Sequence, residues 1–474
     1  MSFTVEKIGG TSMTAFDAVL DNILLRPENK YNRLFVVSAY SGITDALLEC
    51  KKTGKPGIYG LIKNSDASWQ DALVELEQRM IMINRNIFAD PSYRLQADEF
   101  IKARLSDAKA CIENILDTCQ YSQFAIEDYL PQIREFLASL GETHSAFNTA
   151  LKLEIHGVNS VFVDLSGWTT PREGKLDDVI NEMFAQVDIS KTLPIVTGYC
   201  HCEEGLMQTY DRGYSEMTFS RIAALGQATE AIIHKEYHLS SADPCIVGAE
   251  EVLPIGHTNF DVADQLANLG MEAIHPNAAA GLREQGIALV VKNTFEPEHP
   301  GTVIDDSPQN NDQLVDIIAG KNKVYALHVF DQSMVGNIEA TLQEIINYIN
   351  KADVKLLGKE MNANSLTYFL TGSPQSLDAL TAHVEQRCPD AKVSGKMVAL
   401  ISAIGAKLDS DKVLSQGMAA LIENSISPIS VHATIRNVDV QFCIEDSHYH
   451  EALRALHGAL IDVDLAPSLT SHAA

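Results

Sequence analysis

The chain has 474 residues, of which 46% are hydrophobic and 21% charged, and it carries a formal net charge of −27 at pH 7. That length predicts about three domains, and the lack of any uninterrupted apolar run near the roughly 18 residues of a spanning helix excludes a membrane protein. The excess negative charge repels nucleic acid and anionic membranes, so any site for a polyanion must be a local exception. The eight cysteines are scattered without a CxxC pair, which fits free thiols in a reducing compartment. Cys200-His201-Cys202 has no second ligand pair at metal-site spacing, and no residue is assigned to a metal. Met1-Ser2-Phe3-Thr4 leads into a strand without a basic flank or apolar h-region, so a cytoplasmic location is expected.

The first element in the chain is the most telling. Thr4 to Ile8 is a short β-rich run, and Thr14 to Leu25 places Phe16, Val19, Leu20, Ile23 and Leu24 at helical spacing. Gly9-Gly10-Thr11-Ser12 therefore falls at a strand-to-helix turn. Glycines let the backbone approach an anion, the N–H groups of the turn point at its oxygens, and Lys7 adds a mobile charge, which together read as a phosphate site. At average residue usage this set arises by chance at roughly 10⁻⁶ per position.

Further along, Arg33 to Ser38, Ser160 to Leu165, Leu193 to Gly198 and Ala288 to Lys292 are near-continuous β-rich runs separated by helical patterns, which predicts an α/β sandwich. Helical spacing from about 66 to 140, broken near Asp90-Pro91 and Leu130-Pro131, reads as a helical insertion. Turn formers from Glu296 to Gly301 and from Asp305 to Asp312 mark a boundary, giving a first domain of 1–305. Beyond it a strand-helix-strand-strand-helix pattern occurs twice at a spacing of about 74 residues. The expected domains are 306–392 and 393–466, two ferredoxin-like βαββα units too small to carry a large core alone, which must pack on each other or on a second chain.

No G-x-x-x-x-G-K-[ST] occurs and no G-x-G-x-x-G follows a strand, so the P-loop and the usual dinucleotide fingerprint are excluded. What remains are loops at the carboxyl ends of candidate strands: Val36 to Asp45, which contains Thr44, then Gly141-Glu142-Thr143-His144-Ser145, and Gly198 to Glu216. Arg212, followed by Gly213-Tyr214-Ser215 at a helix start, offers a planar fork for a carboxylate. Glu142 suits an ammonium group. Ser215 fits a helix N-cap and a ligand contact equally well.

Lys7-Ile8-Gly9-Gly10-Thr11-Ser12, Val36 to Asp45, Gly141-Glu142, Arg212 to Glu216, Ile274-His275-Pro276 and Lys292 to Pro297 occur in the order seen in aspartate kinases, and Ala455 to Leu460 resembles the closing helix of their paired ACT domains. The resemblance spans nearly the whole chain. It implies a three-layer amino-acid kinase fold followed by two ACT regulatory domains, with ATP and Mg2+ as cofactors and L-aspartate as phosphoryl acceptor. It assigns Lys7, Gly9, Gly10 and Thr11 to ATP phosphates, and Thr44, Glu142, Arg212 and Ser215 to aspartate. Glu216 stands where the family has an aspartate that organises the catalytic lysine. The nucleotide loop retains only Ala242-Asp243-Pro244, and Glu272 replaces a lysine, for which Lys292 is expected to compensate on the phosphates. The resemblance further implies a homodimer or higher homo-oligomer and an amino-acid effector around Met334 to Ile338 and Glu360 to Asn364. The departures from the family pattern, with the Lys7 to Met13 opening and the acidic balance, resemble the divergent aspartate kinases linked to ectoine synthesis. The altered nucleotide loop and Glu272 keep open a catalytically silent amino-acid sensor, and the fold itself keeps open a kinase for another amino-acid carboxylate.

Overall fold

A computed structural model of the chain describes residues 2–50, 53–168, 174–271, 274–307, 314–335, 338–352 and 354–461. It divides into two compact units, Met1–Leu239 with Ile274–Asp306, and Ser240–Ala273 with Ser307–Ala474. Turn formers alone suggest one unbroken span to 305. Residues 240–273 instead join the second unit, where Ala242 and Val247 enter a core with Val413, Phe442 and Leu456.

In the first unit, β1 (Thr4–Ile8), β2 (Arg33–Val37), β3 (Ser160–Val163), β4 (Leu193–Thr197), β5 (Glu230–Lys235), β7 (Ala288–Asn293) and β8 (Thr302–Ile304) stand in the order β3-β4-β2-β1-β5-β7-β8, β6 being the two-residue strand His257–Thr258 of the second unit. Strands from β3 to β7 run parallel, and β8 returns antiparallel to β7. Parallel strands are covered on both faces, which is why β2 and β4 read as continuous apolar runs, with all five residues of β4 buried. Their carboxyl ends share one edge of the sheet, where open α/β sheets collect ligands.

The single helix expected over 14–25 is instead Gly10–Thr14, Phe16–Val19 and a π segment Leu20–Leu24. Thr14 marks the break: its hydroxyl accepts from Ser41 N at 2.9 Å, tying the first turn to the loop after β2. The insertion forms helices Trp69–Ile87 and Pro91–Thr118, the second capped by Asp90, which accepts from Ser92 N at 2.8 Å with Pro91 in the first turn.

A third helix, Leu130–Ile155, corrects the expectation that Gly141 to Ser145 form a loop at a strand end. Ile133, Leu137, Leu140 and Leu151 are buried along it, and this apolar face carries the helix through Gly141. A Cβ on Gly141 would lie 2.7 Å from Ala39 Cβ, so glycine here serves close helix-to-loop packing rather than a turn.

The second unit holds β9 (Ile317–Phe330), helix Ile338–Ile349, β10 (Val354–Met361), β11 (Ser365–Gly372) and helix Pro374–Arg387, then β12 (Lys392–Ile404), helix Ser410–Glu423, β13 (Ser430–Ala433), β14 (Asp439–Glu445) and helix Tyr449–Leu460. The two βαββα repeats share one sheet of order β10-β11-β9-β12-β14-β13. Antiparallel pairing of their first strands, from Lys392↔Phe330 to Ile404↔Ile317, joins them, so two repeats with small cores form one structure. Among the described residues, no helix is long and apolar enough to cross a membrane.

Candidate active site

Lys7 sits near the end of β1, only 6% exposed, and its Nζ lies 3.5 Å from Glu216 Oε1. The other carboxylate oxygen of Glu216 accepts from His275 N at 2.5 Å. Burial works against the charge of Glu216, but Lys7, Lys235 and the His275 N–H outweigh it and hold the carboxyl below its ordinary range. The glutamate arm therefore links helix Tyr214–Gly226 to the lysine and to the start of helix Pro276–Glu284. An aspartate here is one methylene shorter and cannot keep both contacts. Glu216→Asp is expected to lower kcat about tenfold with little change in Tm, checked by steady-state kinetics beside a melting curve.

At the glycine turn, Gly9 N donates to His234 O at 3.1 Å, so Gly9 supplies close backbone approach rather than a free donor. Gly10, Thr11 and Ser12 carry the first-turn N–H groups that a helix leaves without intrahelical partners. A Cβ on Gly10 would lie 2.7 Å from Ala39 O, which explains the second glycine. The Ser12 hydroxyl is buried and accepts from Thr294 Oγ1 at 2.9 Å, while Thr11 is exposed.

Across the carboxyl edge from Lys7 lies Glu142, 2% exposed, on helix Leu130–Ile155. Its Oε2 has no hydrogen-bond partner among the described residues. Burial pushes its pKa up to about 8 against the pull of Lys7 and of hydrogen bonds from Tyr199 N–H and the Tyr214 hydroxyl. A buried polar network fixes this helix. His144 Nε2 lies 2.7 Å from Asn84 Oδ1, Asn148 Nδ2 donates to the same oxygen at 2.8 Å, and Ser145 Oγ donates to Ser38 O at 2.9 Å. Ser215 follows Tyr214 in the first turn of its helix without capping it, and its Oγ lies 3.4 Å from Ser38 Oγ.

Gly198, just past β4, closes this group. A Cβ there would meet Ser215 Cβ at 2.6 Å and both Glu142 carboxylate oxygens at 2.9 Å. If Glu142 and Ser215 hold the amino-acid substrate that the resemblance implies, Gly198→Ala raises its KM at least tenfold with a smaller change in kcat; equal KM values for variant and wild type would remove both residues from substrate binding.

Arg212 precedes the helix in a 3-10 turn, with Nη1 2.5 Å from Asp45 Oδ1 and Nη2 donating to Glu49 O. Thr44, next to Asp45 on helix Ile43–Leu47, hydrogen-bonds the Tyr214 hydroxyl. Arg134 bridges Glu49 at 3.0 Å and Asp211 at 2.9 Å, which braces the turn that carries Arg212.

Lys7, Glu216, Gly9, Gly10, Thr44, Glu142, Arg212 and Ser215 thus gather at the carboxyl edge of the sheet. Lys292 does not. In the parallel register Lys7 is level with Ile233 and Val291, whereas Lys292 is level with His234 and Ile8, so its side chain leaves the opposite face of the sheet. Glu272 lies outside the described residues. Sequence reasoning missed Lys235, whose charge reaches Glu216 from the end of β5 on the Lys7 face. The signal was present: like Lys7, it is a lysine ending a short β-rich run, Glu230 to Lys235.

Residues 2–293 match the model of the amino acid kinase family. Over 97% of both chains, the sequence is 46% identical to aspartate kinase Ask_Ect of Stutzerimonas stutzeri. The chain belongs to the aspartate kinases of the amino acid kinase family. Among solved structures, E. coli aspartokinase III in complex with lysine and aspartate superposes with a TM-score of 0.74 at 18% identity, covering 97% of this chain and 100% of that one. The same E. coli enzyme in complex with aspartate and ADP gives 0.72 at 19% identity with the same coverage. These two share the fold of this aspartate kinase, including the paired βαββα region.

Proposed function

We propose that the chain transfers the γ-phosphoryl group of ATP to the side-chain carboxylate of L-aspartate, giving 4-phospho-L-aspartate and ADP. The observation that carries this reading is the pairing at one sheet edge of a buried lysine at a glycine turn with a buried glutamate and an arginine fork. The first suits phosphate oxygens; the other two suit the ammonium and carboxylate of an amino acid.

A carboxylate with a reference pKa near 4 is already ionised at pH 7, so attack needs no general base. Its oxygen forms the new bond to the γ-phosphorus as the bond to the β–γ bridging oxygen breaks, and the electron pair leaves on ADP. Catalysis is then positioning and charge neutralisation. Lys7 would contact the bridging region, held in place by Glu216, while the N–H groups of Gly10, Thr11 and Ser12 would face phosphate oxygens. Glu142 would take the substrate ammonium, Arg212 a carboxylate, and Thr44 and Ser215 the remaining hydrogen bonds. Mg2+ would come with the nucleotide and supply charge neutralisation on its phosphates; among the described residues no group of three or more His, Cys, Asp and Glu side chains is placed to cage a metal.

We further propose an amino-acid effector site in the second unit, with the effector contacting residues around Met334 and Glu360 to Asn364, and a homodimer, both as the family resemblance implies; residues 336 and 337 of the expected site lie outside the described residues. The 46% relative supports a role in ectoine supply, and the absence of an apolar spanning helix among the described residues is compatible with a cytoplasmic enzyme.

The test is ATP- and Mg2+-dependent formation of aspartyl hydroxamate in hydroxylamine, with glutamate and acetylglutamate as rival acceptors, with and without lysine and threonine, in low and high salt. Turnover restricted to aspartate is expected. ATP binding without turnover on any acceptor would replace the kinase reading with a sensor.

A further inference from the structure

We propose that the cavity on the sheet face opposite Lys7 is a second oxyanion site, distinct from the glycine turn. The cavity holds about 580 Å³ and is lined by Glu6, Arg26, Arg33, Lys292 and His299 among others. Its carboxylates are already committed. Glu6 Oε1 accepts from Arg33 Nε at 2.6 Å and Oε2 lies 2.8 Å from His234 Nε2. Glu296 is engaged by Asn293 Nδ2 at 3.0 Å and by His238 at 3.1 Å.

The unused capacity consists of donors. Arg33 spends Nε on Glu6 and Nη2 on Ile23 O, and its buried Nη1 has no partner among the described residues. His299 Nδ1 accepts from Gly301 N at 3.0 Å, so the neutral ring carries its proton on Nε2, which is also buried without a partner. Lys292 is half-buried and makes no ion pair or hydrogen bond among the described residues. Buried donors without acceptors are costly, and two of them, on residues that line the same cavity as the half-buried Lys292, match a ligand rich in acceptors and negative charge. Arg26 is paired with Glu298, so Lys292 is the cation of the lining that supplies the positive balance, a local exception in a chain of net charge −27.

The ligand class is a tetrahedral oxyanion, free or as the phosphoryl group of a small metabolite, since the volume exceeds that of the free ion. Binding would be felt at the active site. Glu6 directly precedes Lys7 on β1, and the backbone of His234 accepts the Gly9 N–H.

The experiment is calorimetric titration of the full chain with sulfate, inorganic phosphate and ribose 5-phosphate at ionic strength matched with chloride. One saturable site is expected to persist in Lys7→Met, which removes the cation of the phosphate turn, and to weaken at least tenfold in Lys292→Met. His299→Phe, which removes only the Nε2 donor, should weaken it severalfold and serves if Lys292→Met fails to fold. Tighter binding of ribose 5-phosphate than of inorganic phosphate would identify the occupant as a phosphorylated metabolite; equal or weaker binding would identify the free anion. Absence of a saturable site, or one lost in Lys7→Met and indifferent to Lys292→Met and His299→Phe, would overturn the proposal.

Discussion

Replacing Lys7 with alanine is expected to lower kcat by about 10²–10³ while KM for ATP changes far less. Lys7 is held for a task other than ground-state binding. It is 6% exposed and pinned by Glu216, whose second oxygen is anchored on the backbone of His275, so the ammonium is oriented before substrate arrives. Negative charge moves toward the β–γ bridge as the phosphoryl group transfers, so the contact tightens in the transition state and its loss falls on kcat. Removing Lys7 also leaves the buried Glu216 with Lys235 as its remaining lysine neighbour. The Glu216 carboxyl should then titrate closer to its ordinary range, and the variant's kcat should gain a new acid limb. Retention of more than about a tenth of wild-type kcat would contradict the assignment, since one lost transition-state donor typically costs 10²–10³.

How much of this was legible in the sequence depended on the range of the signal. Lys7 and its glycines were readable because their chemistry is local: strand, turn and helix start lie within nine residues. The repeat after 306 was readable because periodicity survives divergence, and the pairing of β9 with β12 follows from two units that each lack a large core. Glu142 was picked as a residue but placed in a loop, because Gly141 reads as a turn signal. The helix persists through that glycine because Ala39 packs where a side chain would go, a contact 102 residues away in sequence. Lys292 failed for the opposite reason. Its proximity to the Lys7 strand was inferable, but the face was not: a shift of one residue in parallel register sends a side chain to the other side of the sheet, and no local pattern fixes that register. The exchange of 240–273 into the second unit is likewise a long-range packing event, carried by Ala242 and Val247 against residues near 400–460.

Glu142 should give the enzyme a distinctive pH dependence. Burial pushes its pKa up to about 8, so below pH 8 the carboxyl is held as a neutral carboxylic acid. The ammonium group of aspartate binds the ionised form, and binding below pH 8 must therefore displace a proton. kcat/KM for aspartate should rise by up to tenfold per pH unit as pH climbs toward 8, and level off above it. Glu142→Gln should flatten that profile and lower kcat/KM about 10²-fold at pH 8, because it deletes one partner of a buried charge pair. Stability should move the other way. The folded pKa lies above the unfolded value of 4.5, so between pH 4.5 and 8 the folded chain binds more protons than the unfolded one, and this residue costs stability progressively as pH rises through that window. The glutamine variant escapes the cost. Its Tm should match wild type near pH 4.5 and exceed it at pH 9, while its kcat/KM at pH 9 is lower. A variant that lost stability and activity together at pH 9 would show Glu142 to be a structural ion-pair member instead, whereas opposite signs place the cost of burying this charge at the service of substrate binding.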